Sequence, residues 1–200
     1  MALTTLTTVS GGDAIASTWG NAVKANFDAH AAFGEIPLPL VEAILPISGV
    51  AGAGLEQAEY GTAAPKVNAV QARFDDGTDE WLQWNVNVPR SYGTTAVMQV
   101  TYYMATAVAG TVIWGACAAA LGAGDTSATA KVFGTVSTAA AVVPGTAVII
   151  GTANITMADM NSAAANDWMN ISLYRDADAA GDSAGGDAVV LSAKLIFNLI

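Results

Sequence analysis

The hydrophobic pattern changes character along the chain. From Asp13 to Phe33 apolar residues recur at helical spacing: Ile15, Trp19, Val23 and Phe27 fall every four residues, while Asn21, Lys24 and Asp28 lie elsewhere around the wheel. Ser10 and Asp13 are candidate caps and Gly34 is a candidate stop, so the pattern predicts an amphipathic helix within residues 1–34. A helix this short is not stable alone, so its stripe must dock, either on its own domain or on another chain. From Val67 onward the period becomes two. Leu82, Trp84, Val86 and Val88 alternate with Gln83, Asn85 and Asn87 up to Pro89, and Met98, Val100, Tyr102 and Met104 alternate again. With Val67–Phe74, Thr111–Ala118, Lys131–Ser137, Ala147–Ile155, the Met169/Ile171/Leu173 face and the closing run from Val189 to Leu199, residues 67–200 predict eight strands. That is the count of a jelly-roll-like antiparallel β-sandwich.

Between these zones, residues 35–66 fit neither pattern. Pro37, Pro39 and Pro46 forbid a continuous helix, the stretch from Gly49 to Pro65 is rich in glycine and alanine, and IPLPLVEAILPI is too apolar for a solvated linker. The reading preferred here is an extended arm lying in a groove of a neighbouring subunit; an edge strand of the same domain is the competing one. The expected anchor residues are therefore Ile15, Trp19, Val23 and Phe27 on the helix and Ile36, Leu38, Leu40 and Ile44 on the arm. Abundant Ala and Gly in the strands, both poor strand formers, suggest close approach of sheets or subunits.

Composition narrows the function. The chain is 53% hydrophobic and 12% charged, which excludes intrinsic disorder. Seven Lys+Arg against seventeen Asp+Glu give a net charge of −10, opposing nucleic-acid binding and any electrostatic grip on anionic lipid. The uncharged stretch between Arg90 and Asp125 is long enough for a membrane span, but its alternation, Gln99, threonines and glycines fit a buried β-hairpin better. One cysteine, Cys117, allows no intrachain disulfide, and the N-terminus lacks the basic and apolar regions of a signal peptide.

Little catalytic chemistry remains. There is no GxSxG, HExxH, P-loop or CxxC, and Gly49, Gly52 and Gly54 fail the dinucleotide fingerprint because Gln57 replaces its third glycine. His30 reads as a helix-end residue and Cys117 as a small buried group. Asp75, Asp76, Asp79 and Glu80 read as an acidic turn before Trp81, with a paired-carboxylate site as the rival. Asp176, Asp178 and Gly181 occupy the first, third and sixth places of a calcium loop, with Asp182 and Asp187 nearby, but Ala180 breaks the fifth place and the flanks read as strands. Turn chemistry is the preferred reading of these aspartates. No catalytic residue and no cofactor is expected. Trp81, Trp84, Trp114, Trp168, Tyr92, Tyr102, Tyr103 and Tyr174 read as core or interface anchors, and any left exposed could stack on sugar rings.

TTVSGGDAIASTWGNAVKANFDA resembles the opening segment of many tailed-bacteriophage fibre and head-associated proteins, and WMNISLYRDADAAGDSAGGDAVVLSAKLIF is similar to the closing strand–loop–strand of phage jelly-roll modules. The resemblance implies a virion structural protein, assembled in the host bacterial cytoplasm, with a β-sandwich head in a homo-oligomer, a trimer favoured. Its expected partners are the major capsid protein or other virion proteins, with no nucleic acid and no membrane. The function expected is non-enzymatic: a capsid decoration or cement protein clamping capsid subunits through the helix and arm. The alternative is a tail fibre or tip protein binding host surface glycans.

Overall fold

The computed structural model describes residues 33–90, 92–125 and 128–199, and these form two β-sheets packed face to face. The strands are β1 (Phe33–Leu38), β2 (Ala51–Gly52), β3 (Gly54–Tyr60), β4 (Val67–Phe74), β5 (Glu80–Asn87), β6 (Tyr92–Met104), β7 (Thr111–Leu121), β8 (Ser137–Val142), β9 (Gly151–Met157), β10 (Trp168–Arg175) and β11 (Ala188–Leu199). One sheet runs β3-β4-β11-β6-β9 with β1 also on β11; the other runs β2-β5-β10-β7-β8. From β4 onward successive strands alternate between sheets except at the β7–β8 hairpin, giving β4-β11-β6-β9 facing β5-β10-β7-β8, the strand order of a jelly roll. Every pairing among these eight is antiparallel; the two-residue β2 adds to β5 in parallel.

The core lies between the sheets and follows the alternation of the sequence. Leu82 and Trp84 from β5, Met98, Val100 and Tyr102 from β6, Met169, Ile171 and Leu173 from β10, and Leu195 and Phe197 from β11 are buried. Trp114 meets Phe74 and Tyr102 edge-on at 5.2 and 5.3 Å. The small residues of β7 have an intrachain reason. Ala116, Ala118 and Ala120 face the core among these large rings, and a Cβ on Gly115 would stand 1.9 Å from Cε1 of Tyr174. Along β11 the pairing slips by one residue between Val190 and Ser192, so Leu191 bulges out of the alternation expected of it.

The largest departure from expectation is residues 35–66. Instead of an arm reaching a neighbour, Phe33–Leu38 pairs with β11 in register Phe33↔Asn198 to Leu38↔Ala193, and Gly54–Tyr60 forms a hairpin with β4. Prolines did not prevent this, because β1 lies at a sheet edge where a missing N–H is tolerated. Leu38 and Leu40 are buried and Ile36 packs on the core, so these three expected anchors serve this chain's own sandwich. Lys194 Nζ donates to Glu35 Oε1 at 2.8 Å across the β1–β11 pair. Phe33 and Gly34, expected as helix end and stop, open β1. Ile15, Trp19, Val23 and Phe27 lie outside the described residues, as does His30. Two strands are also displaced: the segment expected over Lys131–Ser137 forms as Ser137–Val142, and that over Ala147–Ile155 as Gly151–Met157. Among the described residues no helix is long and apolar enough to cross a membrane.

Candidate functional site

Two places on the sandwich hold side chains that the core does not use. The first is the outer face of the sheet containing β5, β10 and β7. Because Leu82 and Trp84 point inward, Trp81, Gln83, Asn85 and Asn87 point outward, and they stand opposite Tyr174, Ser172, Asn170 and Trp168 of β10. Gly115, Cys117, Ala119 and Leu121 of β7 complete the rows. Trp81 and Tyr174 stack at 4.0 Å with planes 6° apart, the space over Gly115 admitting the Tyr174 ring. In the third row Asn170 Nδ2 donates to Asn85 Oδ1 at 2.9 Å. Asn170 Oδ1 has no partner among the described residues, and Trp168 beside it is 41% exposed.

The chain entering β2 runs along one side of this face. Ile44 exchanges backbone hydrogen bonds with Gln83 at 2.7 and 3.0 Å, and Ala53 N donates to Trp81 O at 3.1 Å. The segment following β7 passes the other side, where Gly134 N donates to Ala118 O at 2.8 Å. Between them lies a groove of about 370 Å³, lined by Ile44, Leu45, Pro46, Ile47, Val50 and Phe133 over a floor of Trp81 and Gln83. Buried beneath this face, the Cys117 thiol is pushed up to about 11 and the Tyr174 hydroxyl, with Asp176 and Asp79 adding to burial, to about 12. Neither ionises near neutrality.

The second place is the loop end, where the turns after β4, β6, β8 and β10 meet. Its support is Arg175, fully buried, which binds Asp182 through Nη2–Oδ1 at 2.8 Å and Nε–Oδ2 at 3.0 Å and donates to the carbonyls of Ala184 (2.7 Å) and Gly186 (2.9 Å). Asp182 Oδ2 also accepts from Ile113 N at 3.1 Å. This clasp folds the 176–187 loop against β7 and sets two acidic groups on the rim: Asp75, Asp76 and Asp187, and Asp79, Asp176 and Asp178, the carboxylates of each within 4.8 Å of one another. Burial and the neighbouring charges of Asp79 and Asp178 raise the Asp176 carboxyl, and burial raises Glu80. A hard cation would be held by such oxygens, but Asp176, Asp178, Asp182 and Asp187, the candidate calcium-loop residues set against the preferred turn reading, are not brought into one group. Asp182 is spent on Arg175, and Asp187 turns away to Asp75, Asp76 and Arg73 (3.3 Å). Asp79, which the loop pattern could not include, stands in their place beside Asp176 and Asp178. The expected acidic turn forms between β4 and β5, and its carboxylates are shared between the two groups, Asp79 in one and Asp75 and Asp76 in the other.

Beside the acidic rim the same end is aliphatic. Val143 N donates to Gly110 O and Val148 N to Met104 O, joining the β6–β7 turn to the β8–β9 loop. Val108, Val142, Val148, Ile149 and Ile150 are 54%, 81%, 57%, 53% and 60% exposed. Val148 has φ +63°, a left-handed conformation that a β-branched side chain strains to adopt. Periodicity alone did not reveal this tip, because an apolar run reads as a strand until pairing shows otherwise.

No protein-family model and no curated protein matches the chain. Among solved structures it is similar to a family 35 carbohydrate-binding module from Clostridium thermocellum, at 15% identity over 81% of this chain and 97% of that one, TM-score 0.47. It is also similar to the family 35 module from Paenibacillus barcinonensis, at 12% identity over 81% and 97%, TM-score 0.43. A third is the isomalto-dextranase of Arthrobacter globiformis T6 in complex with panose, at 20% identity over 82% of this chain and 23% of that one, TM-score 0.46. At these identities and scores the likenesses assign no function.

Proposed function

We propose that this chain is a non-enzymatic structural protein of a tailed-phage particle, a decoration or cement protein seated on the particle by apolar contact. The observation that carries this reading is the aliphatic tip formed by Val108, Val142 and Val148–Ile150. Large side chains held outward, one in a strained conformation, are costly in a free protein and useful when a partner covers them. Burying one such side chain contributes about 1.5–3 kcal/mol, and repeated copies on a lattice multiply the effect. The resemblance of the first thirty and the closing residues to phage virion proteins supports the same reading. The clamp expected through Ile36, Leu38 and Leu40 is not part of it, since those side chains are inside the sandwich.

The test is co-sedimentation of purified protein with undecorated particles. Ile149→Asp combined with Ile150→Asp is expected to lower particle binding at least tenfold while the unfolding midpoint stays within about 2 °C. Unchanged binding by the folded variant refutes the tip as the contact.

A second reading is favoured by a specific observation, the half-exposed Trp168 beside the Asn85–Asn170 pair. An aromatic face next to amide donors and acceptors suits the C–H and hydroxyl faces of a sugar ring, as a fibre or tip protein that binds host glycans requires. That reading expects saturable binding to a surface polysaccharide, lost in Trp168→Ala. Particle binding that survives Trp168→Ala, with no glycan binding, leaves the first reading standing.

A further inference from the structure

Charge is spread unevenly over the sandwich. β6 and β9 close one sheet and β7 and β8 the other, on the same side. Residues 91–124 and 132–158, which contain these four strands, hold no Asp, Glu, Lys or Arg, so this side contributes nothing to the net charge of −10. The contrast is sharpest at the sheet edges. A free edge strand is normally guarded by charge, by proline or by being short, because its unpaired N–H and C=O groups invite another strand. β3 carries Glu56 and Glu59, β1 carries Glu35 and Pro37, and β2 has two residues. β8 has none of these guards. It pairs only with β7, and its backbone groups on the other side have no hydrogen-bond partner among the described residues. Its sequence STAAAV is uncharged, and its outer face exposes Thr138, Ala140 and Val142. β9, the neighbouring edge, exposes only polar side chains, Thr152, Asn154 and Thr156.

We propose that β8 is the contact between two copies of this chain, the strand of one pairing antiparallel with the same strand of the other about a two-fold axis at Ala140. That pairing keeps every side chain on its own face. Ala140 stands opposite Ala140, and Val142 stands opposite Thr138 of the second copy, which covers the exposed valine with a β-branched neighbour. Charge selects the occupant. A second copy brings the same acidic surface, repelled everywhere except on the uncharged side, so copies meet edge first; a basic partner is drawn instead to the acidic half. Asp159, whose Oδ2 accepts from Thr135 N at 2.7 Å just before β8, falls at opposite ends of the paired strands in the two copies, so these carboxylates do not oppose each other. Each β8 has one free edge, so the assembly closes at two copies, joining two five-stranded sheets into one, in place of the trimer that the phage resemblance favours. The inference goes beyond the particle reading. Of the aliphatic tip it enlists only Val142, and its test involves no particle and no change at Ile149 or Ile150.

The experiment is sedimentation equilibrium of the full chain over the micromolar range. A reversible dimer is expected, and Ala140→Lys is expected to weaken it at least tenfold while the monomer keeps the native circular dichroism spectrum. Ala140→Cys is expected to form a disulfide between chains on mild oxidation, with Asn154→Cys, on the outer face of the opposite sheet, as the position that does not. The native Cys117 is buried and stays out of the reaction. A monomer throughout this range, a mass of three chains, or a dimer of unchanged affinity in Ala140→Lys overturns the proposal, as does equal cross-linking from positions 140 and 154.

Discussion

Removing the carboxylate of Asp182 strikes the structure where it has least tolerance. Arg175 is fully buried, its guanidinium makes four hydrogen bonds within the molecule, and two of them go to Asp182, whose side chain is 2% exposed. In Asp182→Ala the cation keeps the carbonyls of Ala184 and Gly186 but loses its only counter-charge within salt-bridge distance among the described residues, and Ile113 N loses its acceptor. Breaking a buried pair by deleting one partner costs about 3–5 kcal/mol, because an uncompensated charge is left behind. For a chain of this size about 2–4 °C of melting temperature accompanies each kcal/mol, so a fall of roughly 6–20 °C is expected, with a matching shift of the urea midpoint at unchanged m-value. Arg175→Met added to Asp182→Ala should recover part of the loss by removing the buried cation. The recovery stays incomplete because the carbonyls and the Ile113 amide remain unpaired. Asp178→Ala, on the exposed side of the same loop, should change stability by less than about 0.5 kcal/mol. A loss below about 1 kcal/mol in Asp182→Ala would refute the view that this clasp supports the loop end.

Gly115→Ala places a methyl group where the Tyr174 ring lies; a cost of about 1–3 kcal/mol and a changed tryptophan emission from the displaced Trp81 stack are expected, and unaltered emission would contradict the packing described. Cys117, buried and with its thiol pushed up to about 11, should react with a thiol reagent at pH 8 only as fast as the protein opens, so labelling should accelerate in urea in step with unfolding; fast labelling of the native protein would contradict its burial. Stability should rise as pH falls from 7 through the raised carboxyls of Asp176 and Glu80, since the folded state then binds more protons than the unfolded chain. It should fall again at lower pH, where Glu56 and Asp159, held low by their hydrogen bonds, must be protonated. Asp176→Asn should flatten the first limb in a melting series, and an unchanged limb would contradict the assigned cause.

Core strands that alternate cleanly between an inward and an outward side, such as β5, β6 and β10, were legible, whereas β8 and β9 form displaced from the segments expected of them. Leu82 to Val88, Met98 to Met104 and Met169 to Leu173 need no partner information to reveal their inward face. What sequence could not show is which partner each strand takes. IPLPLV reads as an arm because prolines lower its strand propensity, yet an unpaired edge on β11 is enough to recruit it. Val148–Ile150 reads as strand because it is apolar, and only the pairing of β9 from Gly151 onward leaves it at a tip. Asp176, Asp178, Asp182 and Asp187 read as one loop of ligands, whereas the buried Arg175, a charged residue at a core position of β10, takes Asp182 out of the set. That inward arginine was the signal available in the sequence: a lone cation following the Met169–Leu173 alternation requires an acidic partner close by.

The most direct test of the particle reading is immunogold labelling of intact phage from the source, using antibody raised against the purified chain and viewed by electron microscopy. Label distributed over the head is expected. Label confined to the tail would replace decoration with the fibre reading, and the absence of label from every particle would contradict the assignment to a virion altogether.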